Sequence, residues 1–228
     1  MASFEQQIEA LVGFDVGTDA GPDATEITQF IQDGVIDVIS KVIEFKPEEA
    51  SLFSRVDYDT GSGQIVNSGQ IINVTREHDN TTVLRPADRI AAKDRYDAQD
   101  TKSLKYRSKY NPAYYMLDKK IHVLPIAGSS GNRGVINFID YDIAIDEDET
   151  GTNLENFPSK YYRLVVLYGA IKTVESKLAH IAQDDEDQEL ITIWNSILGN
   201  LKNDYGDIFA MMAKAAPKPQ QGGQPSES

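Results

Sequence analysis

The chain has no cysteine among its 228 residues, which excludes disulfide frameworks, thiol nucleophiles and cysteine-based zinc sites. Histidine is scarce, and the three, His78, His122 and His180, lie far apart. The longest apolar run, Leu164 to Ala170, falls far short of the ~20 residues that would cross a bilayer. The opening MASFEQQIEA lacks the basic region followed by an apolar one of a secretory signal, so the expectation is a soluble protein made in the cytoplasm. Neither the nucleophile elbow G-x-S-x-G nor the phosphate-cradling G-x-x-x-x-G-K-[ST] and G-x-G-x-x-G occur; Gly61-Ser62-Gly63 stands in a turn cluster without that framing. The acidic runs Asp146–Glu149 and Asp184–Asp187 lack the spacing of a calcium loop and read as solvated carboxylates, as does His78 between Glu77 and Asp79. No spacing picks out a carboxylate pair for glycoside hydrolysis. The expectation is a non-enzyme with no catalytic residue, metal or cofactor.

What is present is ordinary globular composition, 40% hydrophobic and 25% charged, which makes wholesale disorder and fibrous repeats poor fits. The length suits one domain of ordinary core size or two small ones. The net charge of −14, from 22 basic and 36 acidic residues, argues against general nucleic-acid binding. Arg76 to Lys120 reverses the sign locally, with eleven basic against seven acidic residues, and leaves −18 on the remainder. A basic middle in an acidic molecule reads first as solvated strand faces that carry Lys and Arg, and it can also orient copies head to tail.

Phe4 to Val12 is a short amphipathic piece, followed by a Gly/Asp-rich linker; residues 1–22 read as an arm held only by a neighbour. A helix is predicted over 24–44, capped reciprocally by Asp23 and Glu26 and carrying an apolar stripe from Ile27 to Ile43. Gly34 on that stripe predicts a close helix approach. Short strands follow over 53–145: Gln70–Arg76, Thr82–Leu84, Leu104–Tyr106, Ala113–Leu117, Lys120–Leu124 and Val135–Tyr141, with a tight turn at Asp118-Lys119 and a flexible loop from Gly128 to Gly134. After the acidic stretch 146–156, Phe157-Pro158 opens the strongest helix, 158–183, apolar on two sides. A further helix is predicted over 187–204, then a short segment from Ile208 to Ala216 and a tail rich in Pro, Gly, Gln and Ser. The fold class is α+β: a helical bundle with an antiparallel β insertion in a single folded domain, 23–205, with 206–228 as a partly disordered extension.

The run LKYRSKYNPAYYMLDKK interleaves Lys105, Arg107 and Lys109 with Tyr106, Tyr110, Tyr114 and Tyr115. It superficially matches a single-strand stacking platform, but the net negative charge and the affinity of Tyr and Arg for protein interfaces favour protein contact, with plain sheet surface or core as the other reading.

The order of these features resembles a group of virion structural proteins of tailed bacteriophages, particularly marine ones. The resemblance runs from about Ala24 to Leu178, and its most telling pieces are NPAYYMLDKKIHVLP and FPSKYYRLVVLYGAIK. It implies a neck or head-to-tail connector component, a ring-forming adaptor between portal and tail, acting in the virion as a dodecamer or hexamer. Its partners would be copies of itself, the portal protein and tail or neck proteins, with DNA only as passing cargo and no membrane. On that reading Lys105, Tyr106, Arg107, Lys109, Tyr110 and Tyr114 form a subunit interface, and Ile208, Phe209, Met211 and Met212 dock on the portal or a neighbour. The alternative is a tail- or fibre-associated β-module with a helical handle, binding carbohydrate or another virion protein.

Overall fold

The computed structural model describes residues 2–16, 21–66, 70–141, 143, 154, 157–181 and 188–215. The fold is α+β. The chain divides into a helical unit, Met1–Glu49 with Ala144–Ser228, and a β-rich unit, Ala50–Ile143.

In the helical unit α1 (Phe4–Val12) starts at Ser3 with a capping box completed by Gln6 and stops at Gly13 in the left-handed region, φ 79°. Phe4, Ile8 and Val12 fall at every fourth position and are buried. Phe4 meets the Tyr162 ring at 5.5 Å. This corrects the expectation of an arm held by a neighbour: the stripe is long enough to join the core of its own unit. Helix α2 (Ala24–Phe45) begins at Asp23, whose carboxylate accepts from the Glu26 N–H at 2.8 Å while the Glu26 carboxylate accepts from the Asp23 N–H at 3.0 Å. Ile27, Ile31, Val35, Val38, Ile39 and Val42 form its buried stripe. A Cβ at Gly34 would sit 3.1 Å from the Tyr168 ring, which is the close helix approach the sequence predicts.

Helix α4 (Tyr162–Ile181) follows one 3₁₀ turn at Ser159–Tyr161. Leu164, Val165, Val166 and Leu167 are all buried in succession, so no polar stripe faces water there. Helices α1, α2 and α5 all pack on it. The last helix, α5 (Gln188–Ala215), is continuous, whereas the sequence suggests a break after Asn203. Asn203-Asp204-Tyr205-Gly206 carries the composition of a turn, but Leu201, Tyr205 and Phe209 keep the four-residue spacing and are buried; packing overrides weak propensity. The Tyr205 hydroxyl donates to the Asp37 carboxylate of α2; burial first, and this bond second, raise its pKa. The acidic run 184–187 and the tail 216–228 lie outside the described residues.

The β-rich unit holds two four-stranded sheets where the sequence suggests one. The first runs β1 (Ser54–Asp59), β8 (Gly134–Ile139), β3 (Ile71–Glu77), β4 (Leu84–Pro86). The second runs β2 (Gln64–Ile65), β7 (Lys120–Leu124), β6 (Ala113–Leu117), β5 (Asp88–Arg89). All pairs are antiparallel except β5 with β6. Val74, Ile136 and Phe138 of the first sheet pack on Ile121 and Val123 of the second. Asp59, 2% exposed, ties the sheets together: its carboxylate accepts from the N–H groups of Gly61, Gly63 and Val123 at 2.8–2.9 Å. Gly134 lets β8 pass close by, since a Cβ there would lie 2.5 Å from Val123 Cγ2. The Asp118-Lys119 turn has positive φ at both residues, 52° and 61°, as a two-residue hairpin of type I′ requires.

Two outcomes follow for the helical unit. Leu164→Asp places an unpaired charge in a site 2% exposed; a loss of about 4 kcal/mol or more removes the cooperative unfolding transition or leaves the protein insoluble, measured by circular dichroism melting. Glu49 accepts from Lys160 and from the Tyr161 hydroxyl, and these bonds hold its pKa at about 2 against an ordinary 4.5. A depressed carboxylate stabilises the fold above its unfolded pKa and ceases to do so as pH falls through the folded one. Glu49→Gln is therefore less stable than the parent above pH 4.5, and the gap in denaturation midpoint closes between 4.5 and about 2.

Candidate functional site

Residues 100–111 connect α3 (Arg95–Gln99) to β6. The expected strand Leu104–Tyr106 is a turn, because short polar side chains capture the local backbone. Asp100 Oδ1 accepts from the Lys102 N–H at 2.9 Å, and Ser103 Oγ from the Lys105 N–H at 3.1 Å. The Arg107 N–H then donates to Ala98 O at 2.9 Å, closing the loop on α3. This turn leaves Leu104 fully exposed, at 107%.

Lys105, Arg107 and Lys109 are each held within the β-rich unit. Lys105 Nζ lies 2.9 Å from Asp94, the Arg107 guanidinium donates to Asp88 at 2.9 Å, and Lys109 pairs with Asp79. The Lys105 bond lowers the Asp94 pKa, and Lys109 does the same for Asp79. Lys105 and Lys109 are themselves held above the ordinary lysine value by these carboxylates. The tyrosines separate. Tyr106 is exposed, Tyr110 is 64% exposed and tilts over His78 at 4.7 Å, Tyr114 packs against the core, and Tyr115 is buried, stacked 4.9 Å from His122. Desolvation raises the Tyr115 pKa. Beside this loop the segment Gly131–Arg133 is clamped by Glu77, 1% exposed, which accepts from the N–H groups of Gly131 and Arg133 and from the Arg133 guanidinium. The guanidinium, ahead of the backbone donors, holds the Glu77 carboxyl below the usual range. The glycine-rich loop is thereby fixed at its C-terminal end.

Lys105, Tyr106 and Arg107 line an open depression of about 550 Å³ together with Arg89, Ile90 and Ala91 of the β5 segment. A second depression, of about 410 Å³, continues along Arg89–Ala92 to Met116. Arg89 and the nearby Lys102 have no side-chain partner among the described residues, while Lys93 acts on the Asp94 carboxylate. The sequence reading missed Arg89; its only signal is the RPADRI stretch, where turn residues separate Arg85 from Arg89. In the helical unit, Phe209 is 6% exposed and packs on Tyr205 at 5.1 Å and Phe45 at 6.1 Å, so its ring belongs to the core. Ile208 and Met212 are half-buried and Met211 is 68% exposed. Ile208 and Met211 border a shallow hollow with Arg163, Leu167, Asp204 and Asp207.

Among the described residues no three His, Asp or Glu side chains are grouped to hold a metal ion, and no helix is long and apolar enough to cross a membrane. No protein-family model and no curated protein matches the chain.

The ion pairs separate two kinds of basic residue. Reversing Lys105, Arg107 and Lys109 together to Glu sets carboxylate against carboxylate at Asp94, Asp88 and Asp79, so the triple variant has a lower Tm at low salt that partly recovers at high salt. Arg89→Glu, with no partner to repel, melts like the parent in the same scanning fluorimetry.

Proposed function

We propose that the chain is a structural, non-enzymatic subunit of a tailed-bacteriophage virion: a ring-forming adaptor in the neck that joins the portal to the tail and contributes to the DNA conduit. The observation that carries this reading is the division of charge along the two compact units. The β-rich unit holds 13 Lys and Arg against 11 Asp and Glu, a net +2; the helical unit holds the other 9 against 25, a net −16. A subunit with unlike surfaces of opposite sign favours a contact of one kind of surface with the other on the next copy, and repetition of such a contact closes into a ring. A lumen rich in carboxylates suits a conduit, since it repels the phosphate backbone and lets DNA pass without binding. The likeness of NPAYYMLDKKIHVLP and FPSKYYRLVVLYGAIK to connector components adds the location and names portal and tail proteins as neighbours.

The exposed Tyr96, Tyr106 and Tyr110 favour one second reading, a tail- or fibre-associated β-module that stacks sugar rings on them. Mass photometry and negative-stain imaging of the purified chain distinguish the two. The adaptor gives rings of twelve or six copies at low ionic strength, and these dissociate as salt rises above about 0.1 M, where the Debye length is ~10 Å. Monomers at every salt and protein concentration, binding to glycans, overturn it.

A further inference from the structure

We propose that the outer edge of β5 receives an acidic, extended segment of a second copy of this chain, the stretch that carries Asp146–Glu149, as an added strand of the second sheet. This rests on the head-to-tail association above and names its contact. β5 ends the strand order β2-β7-β6-β5. The N–H groups of Asp88 and Ile90 donate inward, to Pro112 O at 3.1 Å and Tyr114 O at 2.9 Å. Alternation along a strand therefore turns the N–H and C=O of Arg89 outward, towards the side that no other strand occupies among the described residues. An extended peptide laid there gains main-chain hydrogen bonds, as in other cases of strand addition.

The side chains around that edge select for charge and for a short apolar lead. Both depressions meet along Arg89–Ala91, and Leu104, Tyr106 and Met116 supply exposed apolar surface beside them. Asp88 and Asp94 are already neutralised by Arg107 and Lys105, so Arg89 and Lys102, which have no side-chain partner among the described residues, set the sign. The matching sequence is Ala144-Ile145 followed by four successive carboxylates, Asp146–Glu149. The ten residues between Ile143 and Leu154 can span up to ~35 Å when extended, longer than a strand of four or five residues. The other acidic run, 184–187, sits within only six residues between α4 and α5, a shorter tether.

The experiment uses the full-length chain with Asp146→Asn, Glu147→Gln, Asp148→Asn and Glu149→Gln, which leaves the groove without its acidic occupant, and a fluorescein-labelled peptide of residues 142–153 in anisotropy titrations. The expected results are saturable binding, at least tenfold weaker when Arg89→Glu is added, and equally weakened when alternate peptide nitrogens are methylated. Binding that survives methylation is charge attraction without strand addition and overturns the mode; no binding overturns the site. Mass photometry keeps the two claims apart. If the wild-type ring forms, persists in the quadruple variant and no peptide binds, the docking site fails and the ring stands. If peptide binds to a chain that never assembles, the site stands and the ring fails. A monomeric wild type that excludes the peptide holds its own segment in the groove, which overturns the assignment to a second copy.

Discussion

The helical unit depends on one constraint: α4 is apolar on too many sides to be covered by a single neighbour. Leu164 to Leu167 are buried without interruption, and burying such side chains is worth about 1.5–3 kcal/mol each. Three helices from distant parts of the chain are recruited to do it, α1, α2 and α5. The glycines on these faces set how near they come: Gly34 meets the Tyr168 side chain, and a Cβ at Gly169 would lie 2.7 Å from Ile8 Cδ1. With α1 and α5 both packed on α4, the β-rich unit is an excursion in sequence between α2 and α4.

In that excursion, buried carboxylates do what a large core would otherwise do. Asp59 and Glu77 are each almost wholly buried and each satisfied by backbone N–H groups. A buried charge is costly unless so paired, and a fully satisfied one fixes the geometry around it. Asp59 links β1 to β7 across the two sheets, and Glu77 holds the segment leading into β8. The surface loop 100–111 is held in a different way, by Asx-type turns and exposed ion pairs. That arrangement keeps Leu104 and Tyr106 outside without a hydrophobic reason for them to be there, as a surface meant for a protein partner would need.

Legibility from sequence followed the range of the interaction. The capping box at Asp23 and Glu26, the stripe of α2 and the turn at Asp118-Lys119 all lie within a few residues and were read correctly. Strand β1, SRVDYD, was missed because its charged residues suit an edge strand and hide the alternation. β5 was missed because two residues held by β6 leave no periodic trace. The continuity of α5 through Asn203-Asp204-Tyr205-Gly206 depends on packing that local composition does not encode. At the candidate site the cluster of tyrosines and cations was legible as a cluster. Its electrostatics were not, since Lys105, Arg107 and Lys109 find their carboxylates 11, 19 and 30 residues away, and Arg89, which has no side-chain partner among the described residues, lies outside the run.

The central claim is that unlike units of neighbouring copies meet. It is tested most directly by zero-length carbodiimide cross-linking of an equal mixture of ¹⁴N- and ¹⁵N-labelled protein at low salt, where only mixed-isotope peptide pairs report contacts between copies. The account predicts mixed pairs joining lysines of the β-rich unit, Lys93 and Lys102 foremost, to carboxylates of residues 144–228. Mixed pairs confined to like units, or none at concentrations where assembly is seen, would contradict it.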